Sequence, residues 1–135
     1  MSLRKNKFTQ EDKLFMNLAL NLARDRLGLT GENPSVGCVI VKNNMIISTG
    51  QTGLNGRPHA EYNAIKSCKK NLKGSTMYVS LEPCTHYGKT PPCTNIIVNS
   101  KIKEVIFSIE DSDIRTKFKS IKIFKKKKLK LNMDF

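Results

Sequence analysis

Residues 36–49 read VGCVIVKNNMIIST, and this stretch decides the class of fold. Residues 36–41 are apolar and rich in β-branched side chains, which predicts a short buried strand. Asn43 and Asn44 predict a tight turn, because asparagine tolerates positive φ. Residues 45–49 then return as the partner strand, so we expect an antiparallel hairpin.

Helices and strands alternate on both sides of this hairpin. The helices are predicted from apolar residues at helical spacing and from end signals such as the Thr9 cap, the Pro91-Pro92 start and the Gly74 stop. They cover residues 9–27, 60–72 and 91–99 and a segment around 118–124. Further strands are predicted at residues 76–80, 104–109 and 129–133. This order predicts an α/β protein, a three-layer α-β-α sandwich around a five-stranded mixed sheet.

Length and composition are those of one globular domain. The chain has 135 residues, enough to bury roughly two thirds of its surface on folding, and we expect residues 1–135 to form a single domain. It has no apolar run approaching the ~20 residues of a membrane span and no apolar core of the signal-peptide type. The sequence therefore predicts a cytoplasmic protein that does not interact with membranes.

The chain is strongly basic, with 24 Lys and Arg, 11 Asp and Glu and a formal net charge of +13. Such a charge is typical of proteins that bind nucleic acid. The excess is uneven, however, because residues 115–130 carry nine Lys or Arg and no acid. Lysine, asparagine and isoleucine are abundant throughout, so solvated surface lysines are the preferred interpretation and a polyanion-binding tail is the alternative.

Two segments carry residues typical of a metal site. Four cysteines and two histidines in a chain with no export signal favour metal binding or catalysis over disulfides. His59 begins one predicted helix, Cys84 and Cys93 lie at the start of the next, and both helix starts meet at one edge of the predicted sheet. These are three protein ligands, as in catalytic zinc sites, which leave the fourth position to water. His86 is the one candidate for a fourth ligand. The other cysteines are assigned to core packing: Cys38 and Cys68.

A carboxylate lies beside this ligand set. Glu61 stands two residues after His59, a spacing at which the two side chains diverge, so that one can bind metal while the other reaches the water. Zinc lowers the pKa of water from ~15.7 towards ~7, and a nearby carboxylate can take that proton and return it to a leaving amine. The order His-x-Glu, Pro-Cys and then Cys is the signature of zinc deaminases, although that signature has a shorter spacing between the cysteines.

The long spacing between the cysteines points to one branch of these enzymes. Residues 81–93 read LEPCTHYGKTPPC, residues 33–41 read NPSVGCVIV and residues 56–61 read GRPHAE. Together they resemble the deaminase domain of riboflavin-biosynthesis deaminase/reductases, within the cytidine-deaminase superfamily. The resemblance extends over about residues 11–113, and it implies a cytidine-deaminase-like fold.

The resemblance also implies an activity and a set of substrate contacts. The activity is zinc-dependent hydrolytic deamination of 2,5-diamino-6-ribosylamino-4(3H)-pyrimidinone 5′-phosphate, with Zn²⁺ on His59, Cys84 and Cys93. Glu61 is implied as the catalytic group that protonates the ring nitrogen and then the departing amine. The implied substrate-binding residues are Asn33 at the base or ribose, Lys89 and Thr90 at the phosphate, His86 in the same loop, and Asp111 and Asp113 after the fourth strand. In this sequence Thr52 and Asp113 replace a histidine and an asparagine that are common in the family.

The implied partners are a small phosphorylated pyrimidine and further copies of the chain in a homo-oligomer. The sequence carries no dinucleotide fingerprint, so we expect no reductase domain within these residues. The reductase is then either a separate protein or another part of a longer gene product.

Two other functions are compatible with some of these features. A nucleic-acid or nucleoside base deaminase, of the tRNA-adenosine or cytidine type, would explain the charge. The cysteine spacing and the few aromatic residues available for base stacking (three Tyr, six Phe and no Trp) argue against it. A non-catalytic zinc module is the third interpretation, and Glu61 argues against it because a structural site has no use for a carboxylate beside the metal.

Overall fold

Nine secondary-structure elements are present in the part of the chain that this computed structural model describes, which is residues 8–85, 91–109, 122 and 130–132. The helices are α1 (Gln10–Asp25), α2 (Ala60–Ser67) and α3 (Cys93–Asn99), with a 3₁₀ turn at Leu54–Gly56. The strands are β1 (Gly37–Lys42), β2 (Met45–Gln51), β3 (Thr76–Leu81), β4 (Glu104–Ile109) and β5 (Lys130–Asn132). The helix predicted around residues 118–124 lies outside the described residues apart from Lys122, whose backbone is helical.

The strands form one mixed sheet in the order β2-β1-β3-β4-β5. β1 runs antiparallel to both β2 and β3, whereas β3, β4 and β5 are mutually parallel neighbours. Asn43 and Asn44 form the hairpin turn at φ of 52° and 62°, so the predicted hairpin is confirmed. The prediction of an α/β protein with a mixed sheet is likewise confirmed.

The sheet is covered on both faces because its strands alternate apolar side chains between the two sides. On one face α1 packs its apolar stripe against the sheet, in a cluster formed by Phe15, Met16, Ala19, Val39, Val41, Tyr78 and Ile106. On the other face α2 and α3 pack on a cluster that includes Cys38, Ile40, Ala60, Ala64, Met77, Val79, Cys93, Ile97, Val105 and Phe107. Cys38 is fully buried in this second cluster, as predicted.

The end of α2 differs from the prediction. The helix stops at Ser67 rather than near residue 72, because Cys68 has an extended backbone (φ −73°, ψ 126°). The Cys68 thiol donates towards the Ile47 carbonyl of β2 at 3.7 Å and is only half-buried, so Cys68 does not belong to the core. Gly74, at φ +80°, belongs to the turn into β3 instead of ending the helix.

The N-terminus of α1 is tied to the centre of the sheet by a buried carboxylate. Thr9 and Asp12 form a reciprocal capping box, in which each side chain accepts from the other residue's backbone N–H. The Tyr78 hydroxyl of β3 donates to Asp12 Oδ1 at 2.6 Å, and both residues are buried. No described helix has the length and apolar character needed to cross a membrane.

Loss of the Tyr78–Asp12 hydrogen bond should destabilise the fold. We expect Tyr78→Phe to lower the free energy of unfolding by about 1.5–3 kcal/mol, since hydrogen bonds to charged groups are worth that much when buried. Urea denaturation followed by circular dichroism measures the change. Tyr62→Phe is the matched control, because Tyr62 is 40 % exposed, and equal losses in the two variants would contradict the prediction.

Candidate metal centre and active site

The loop between β2 and α2 delivers His59. The 3₁₀ turn brings this loop against the segment before β1, where the Asn55 N–H donates to the Leu29 carbonyl at 2.8 Å. Gly56 completes the turn at φ +100°, and a Cβ there would lie 2.6 Å from the Thr30 carbonyl oxygen, so glycine is required on both counts. His59 follows as the N-cap of α2 with an extended backbone, and its side chain faces the start of α3.

The two cysteines come from the end of β3 and the start of α3. Cys84 lies three residues after Leu81, the last residue of β3, and Cys93 is the first residue of α3, which follows Pro92 as N-cap. Two main-chain contacts tie the segments together: the Cys93 N–H donates to Cys84 Sγ at 3.2 Å, and the Thr94 N–H donates to the Cys84 carbonyl oxygen at 3.2 Å. A backbone N–H aimed at a sulfur favours its thiolate form.

The three donor atoms converge to the separation that a zinc ion requires. His59 Nδ1 lies 3.8 Å from Cys84 Sγ and 3.4 Å from Cys93 Sγ, and all three ligand atoms lie within 4.8 Å of one another. With Zn–S near 2.3 Å and Zn–N near 2.0–2.1 Å, tetrahedral coordination puts nitrogen and sulfur about 3.6 Å apart. The donor set therefore fits zinc, and the nitrogen it presents is Nδ1.

Glu61 is buried directly against this donor set. It is 4 % exposed, and its carboxyl group lies close enough to Cys93 for each group to shift the pKa of the other. Burial first, and the charge of Cys84 second, raise the pKa of Glu61 to about 7. A carboxyl group of this kind is suited to accept and release a proton near neutral pH.

The pKa values of the two thiols are shifted in opposite directions. The hydrogen bond from the Cys93 thiol is the main reason that the pKa of Cys84 falls to about 4. The same hydrogen bond, followed by burial, raises the pKa of Cys93 far above its ordinary range. The hydrogen bond to Cys84 also raises the pKa of His59. Binding of a divalent cation must therefore displace the proton of Cys93.

Among the predicted substrate contacts, Asn33 is the one that the structure describes. It is half-buried at the end of the loop before β1, and its Nδ2 donates to the Gly56 carbonyl oxygen at 2.9 Å, three residues before His59. Thr52 is 1 % exposed and bonds to neighbouring backbone, so its hydroxyl does not face the site. The other predicted contacts lie outside the described residues and stay predictions: His86, Lys89, Thr90, Asp111 and Asp113.

A cavity of about 710 Å³ opens beside the donor set. Its wall includes the imidazole of His59 and the side chain of Cys93, together with groups that the sequence analysis did not single out: Arg57, Tyr62, Asn95 and Asn99. The positive charge of Arg57 lowers the pKa of His59, which places its guanidinium within electrostatic reach of the imidazole. Asn95 and Asn99 could have been found from their i, i+4 spacing in the sequence, because this spacing puts both amides on one face of α3.

The chain belongs to the cytidine and deoxycytidylate deaminase family, whose zinc-binding region matches residues 9–109. The zinc prediction is confirmed by this match and by the arrangement of His59, Cys84 and Cys93, which are positioned to bind a metal ion.

Within this family the chain is similar to riboflavin-biosynthesis deaminases, as its motifs predicted. It is 49 % identical over 100 residues to the riboflavin biosynthesis protein RibD of Aquifex aeolicus, a match that covers 74 % of this chain and 28 % of that protein. It is 42 % identical over 117 residues to the diaminohydroxyphosphoribosylamino-pyrimidine deaminase of Buchnera aphidicola subsp. Schizaphis graminum, covering 87 % of this chain and 80 % of that one. The chain thus spans under a third of the RibD protein but most of the Buchnera deaminase.

Solved structures show the same relationship. RibD of Acinetobacter baumannii superposes with a TM-score of 0.88 at 37 % identity, covering 93 % of this chain and 35 % of that one. The dCMP deaminase of cyanophage S-TIM5 superposes with a TM-score of 0.73 at 18 % identity, covering 94 % and 99 % of the two chains. The second likeness shows the fold alone, and the cytidine-deaminase-like α/β fold is therefore confirmed.

Removal of one sulfur should remove the metal. We expect the purified protein to carry about one zinc per chain and Cys84→Ser to lose most of it, because serine does not supply a thiolate. Elemental analysis by mass spectrometry measures the content. Cys68→Ser is the matched control, since the Cys68 thiol donates to the backbone carbonyl oxygens of Ile47 and Lys70, away from the donor set. Full zinc retention in Cys84→Ser would exclude Cys84 as a ligand.

Proposed function

We propose that this chain deaminates 2,5-diamino-6-ribosylamino-4(3H)-pyrimidinone 5′-phosphate hydrolytically, with zinc as its cofactor. The observation that carries the proposal is the burial of Glu61 within electrostatic reach of the three-residue donor set. A structural zinc site takes four protein ligands, whereas the described ligands number three and a buried carboxyl group lies beside them. The substrate class is supported by the similarity to the Buchnera deaminase, most of which this chain covers.

In this proposal His59 Nδ1, Cys84 Sγ and Cys93 Sγ hold the metal. Zinc, when bound, supplies the Lewis acidity that makes water a nucleophile at neutral pH. The site's own residues prepare it, because the backbone N–H of Cys93 aimed at Cys84 Sγ stabilises the anionic sulfur. The Asn63 side chain holds Pro58 by donating to its carbonyl oxygen at 3.2 Å, which fixes the residue immediately before His59.

Glu61 would move the protons of the reaction. It accepts a proton from the water that attacks the amidine carbon and donates it to the ring nitrogen. It then takes the second proton from the hydroxyl group so formed on that carbon and delivers it to the amine. The carbon–nitrogen bond breaks, ammonia leaves and a carbonyl group replaces the amidine nitrogen, so that one water is consumed for each ammonia released. Burial of Glu61 raises its pKa to about 7, which suits a group that serves as base and then as acid.

We infer a wider context for the activity. Residues 1–135 form one deaminase domain, in which β5 completes a five-stranded sheet, and it acts in the cytoplasm as a homo-oligomer. Reductase activity belongs to a separate protein or to a further part of the gene product. The single-domain interpretation is supported by the coverage of the relatives. This chain covers 80 % of the Buchnera deaminase but only 28 % and 35 % of two RibD proteins, which are much longer than the matched region.

Neutralisation of Glu61 should abolish turnover while the metal remains. We expect Glu61→Gln to bind zinc and fold normally but to lose at least ~10²–10⁴ in kcat, the usual worth of a general acid–base group. Ammonia release by the zinc-loaded variant measures the loss. Glu32→Gln is the control, because Glu32 is exposed on the loop before β1. Near wild-type turnover by Glu61→Gln would assign proton transfer to another group.

The substrate itself can be tested through its phosphate. If Lys89 binds the ribose 5′-phosphate, Lys89→Met should weaken binding of the phosphorylated pyrimidine by about ten- to a hundredfold, as expected for loss of a charge-assisted hydrogen bond. Binding of the dephosphorylated analogue should stay unchanged. KM for the two compounds measures the difference. Cytidine and tRNA, assayed in parallel for ammonia release, test the nucleoside and nucleic-acid alternatives. Turnover of cytidine or tRNA without turnover of the phosphorylated pyrimidine would overturn the proposal.

A further inference from the structure

Thr52 lies where β2 leaves the sheet. In the register of the hairpin Gly37 lies opposite Gln51, so the next rung places Thr52 opposite Val36. The Thr52 N–H donates to the Val36 carbonyl oxygen at 3.0 Å, as this rung requires. The return bond is different, because the Val36 N–H donates to Thr52 Oγ1 at 2.9 Å. The side-chain hydroxyl therefore replaces the main-chain carbonyl as the acceptor in an antiparallel pair.

This replacement lets the backbone turn away from the sheet at Thr52 without leaving the Val36 N–H unpaired. The chain can enter the loop that leads to His59 while the segment opposite remains satisfied. The hydroxyl proton of Thr52 is donated in turn to the Pro34 carbonyl oxygen at 3.2 Å. Thr52 is 1 % exposed, so water does not compete for these bonds and their loss leaves buried polar groups without partners.

The segment that Thr52 holds carries Asn33. Asn33 Nδ2 donates to the Gly56 carbonyl oxygen at 2.9 Å, and the Thr30 hydroxyl donates to the Asn33 carbonyl oxygen at 2.7 Å. The segment before β1 and the loop before His59 are therefore joined by two sets of hydrogen bonds. One set is made by Thr52 at the end of β2, and the other joins Asn33 to Gly56. A Cβ on Gly56 would lie 2.7 Å from Asn33 Nδ2, so the contact between Asn33 and Gly56 is closely fitted.

We propose that Thr52 is a positioning residue that orients Asn33 towards the substrate; this rests on the proposed function. Thr52 does not touch the substrate itself. It fixes the backbone of residues 34–36, and through it the Asn33 side chain, which donates to the Gly56 carbonyl oxygen three residues before His59. Cys84 and Cys93 lie on other segments, and the residue before His59 is held separately by the Asn63 side chain, so Thr52 should affect substrate binding more than zinc content.

Thr52→Val tests the proposal, because valine keeps the β-branched shape and removes the hydroxyl. We expect zinc content to stay at the wild-type level and KM to rise roughly tenfold, the factor expected for one buried hydrogen bond, with a smaller change in kcat. Thr52→Ser restores the hydroxyl and should recover most of the loss. Thr49→Val is the matched control, since Thr49 is exposed on the same strand and should leave KM unchanged. An unchanged KM in Thr52→Val would overturn the proposal.

A double-mutant cycle with Asn33→Ala separates positioning from general destabilisation. If Thr52 acts through Asn33, Thr52→Val should have little further effect on kcat/KM once Asn33 is alanine. A hydroxyl that serves stability alone would give additive losses, and that result would overturn the proposal.

Amide hydrogen exchange separates this proposal from the proposed function. Thr52→Val should speed exchange at Asn33 and Val36 while the amides of α2 keep their wild-type protection. Absence of turnover by the zinc-loaded wild-type protein would contradict the proposed substrate, yet faster exchange at Asn33 would still support the positioning role. Unchanged exchange at Asn33 would overturn it whether or not the enzyme is active.

Discussion

One imidazole nitrogen and two sulfurs, from three separate segments of the chain, lie within 4.8 Å of one another. At such distances two thiolates repel each other strongly in a partly buried site. Accordingly, the hydrogen bond between the two thiols lowers the pKa of Cys84 to about 4 and raises the pKa of Cys93 far above its ordinary range. A divalent cation bound by both sulfurs would compensate their two negative charges, so this geometry favours metal binding.

Three chain segments must arrive at this point together, and their backbones are packed closely to do so. A Cβ on Gly50 of β2 would lie 2.3 Å from the Ala60 carbonyl oxygen, and one on Gly53 would lie 2.1 Å from the Arg57 carbonyl oxygen. Glycine at both positions lets α2 lie against the end of β2. Asn63 then joins the two, because its Nδ2 donates to the Gln51 carbonyl oxygen at 2.8 Å and also to the Pro58 carbonyl oxygen. The loop before His59 is thus held by side chains that do not themselves bind the metal.

Burial gives the carboxyl group of Glu61 its chemical character. An exposed glutamate in the first turn of a helix stays ionised, whereas burial beside an anionic sulfur raises the pKa of Glu61 to about 7. The apolar cluster beneath α2 and α3 supplies this environment, since Ala60, Ala64 and Ile97 exclude water from below. The same apolar cluster therefore packs α2 and α3 on the sheet and raises the pKa of Glu61 by burying it.

The α/β class, the Asn43-Asn44 hairpin and the convergence of His59, Cys84 and Cys93 could be predicted from the sequence, because each depends on local spacing or on a short motif. The end of α2 could not be predicted in this way, because Cys68 leaves the helix with an extended backbone and its thiol contacts a carbonyl of β2, a distant part of the chain. The tertiary structure also brings Thr52 to the backbone of residues 34–36 and places Arg57, Asn95 and Asn99 in one cavity with His59. Such contacts join segments far apart in the chain, and their energies depend on distances that only the packed sheet and helices set.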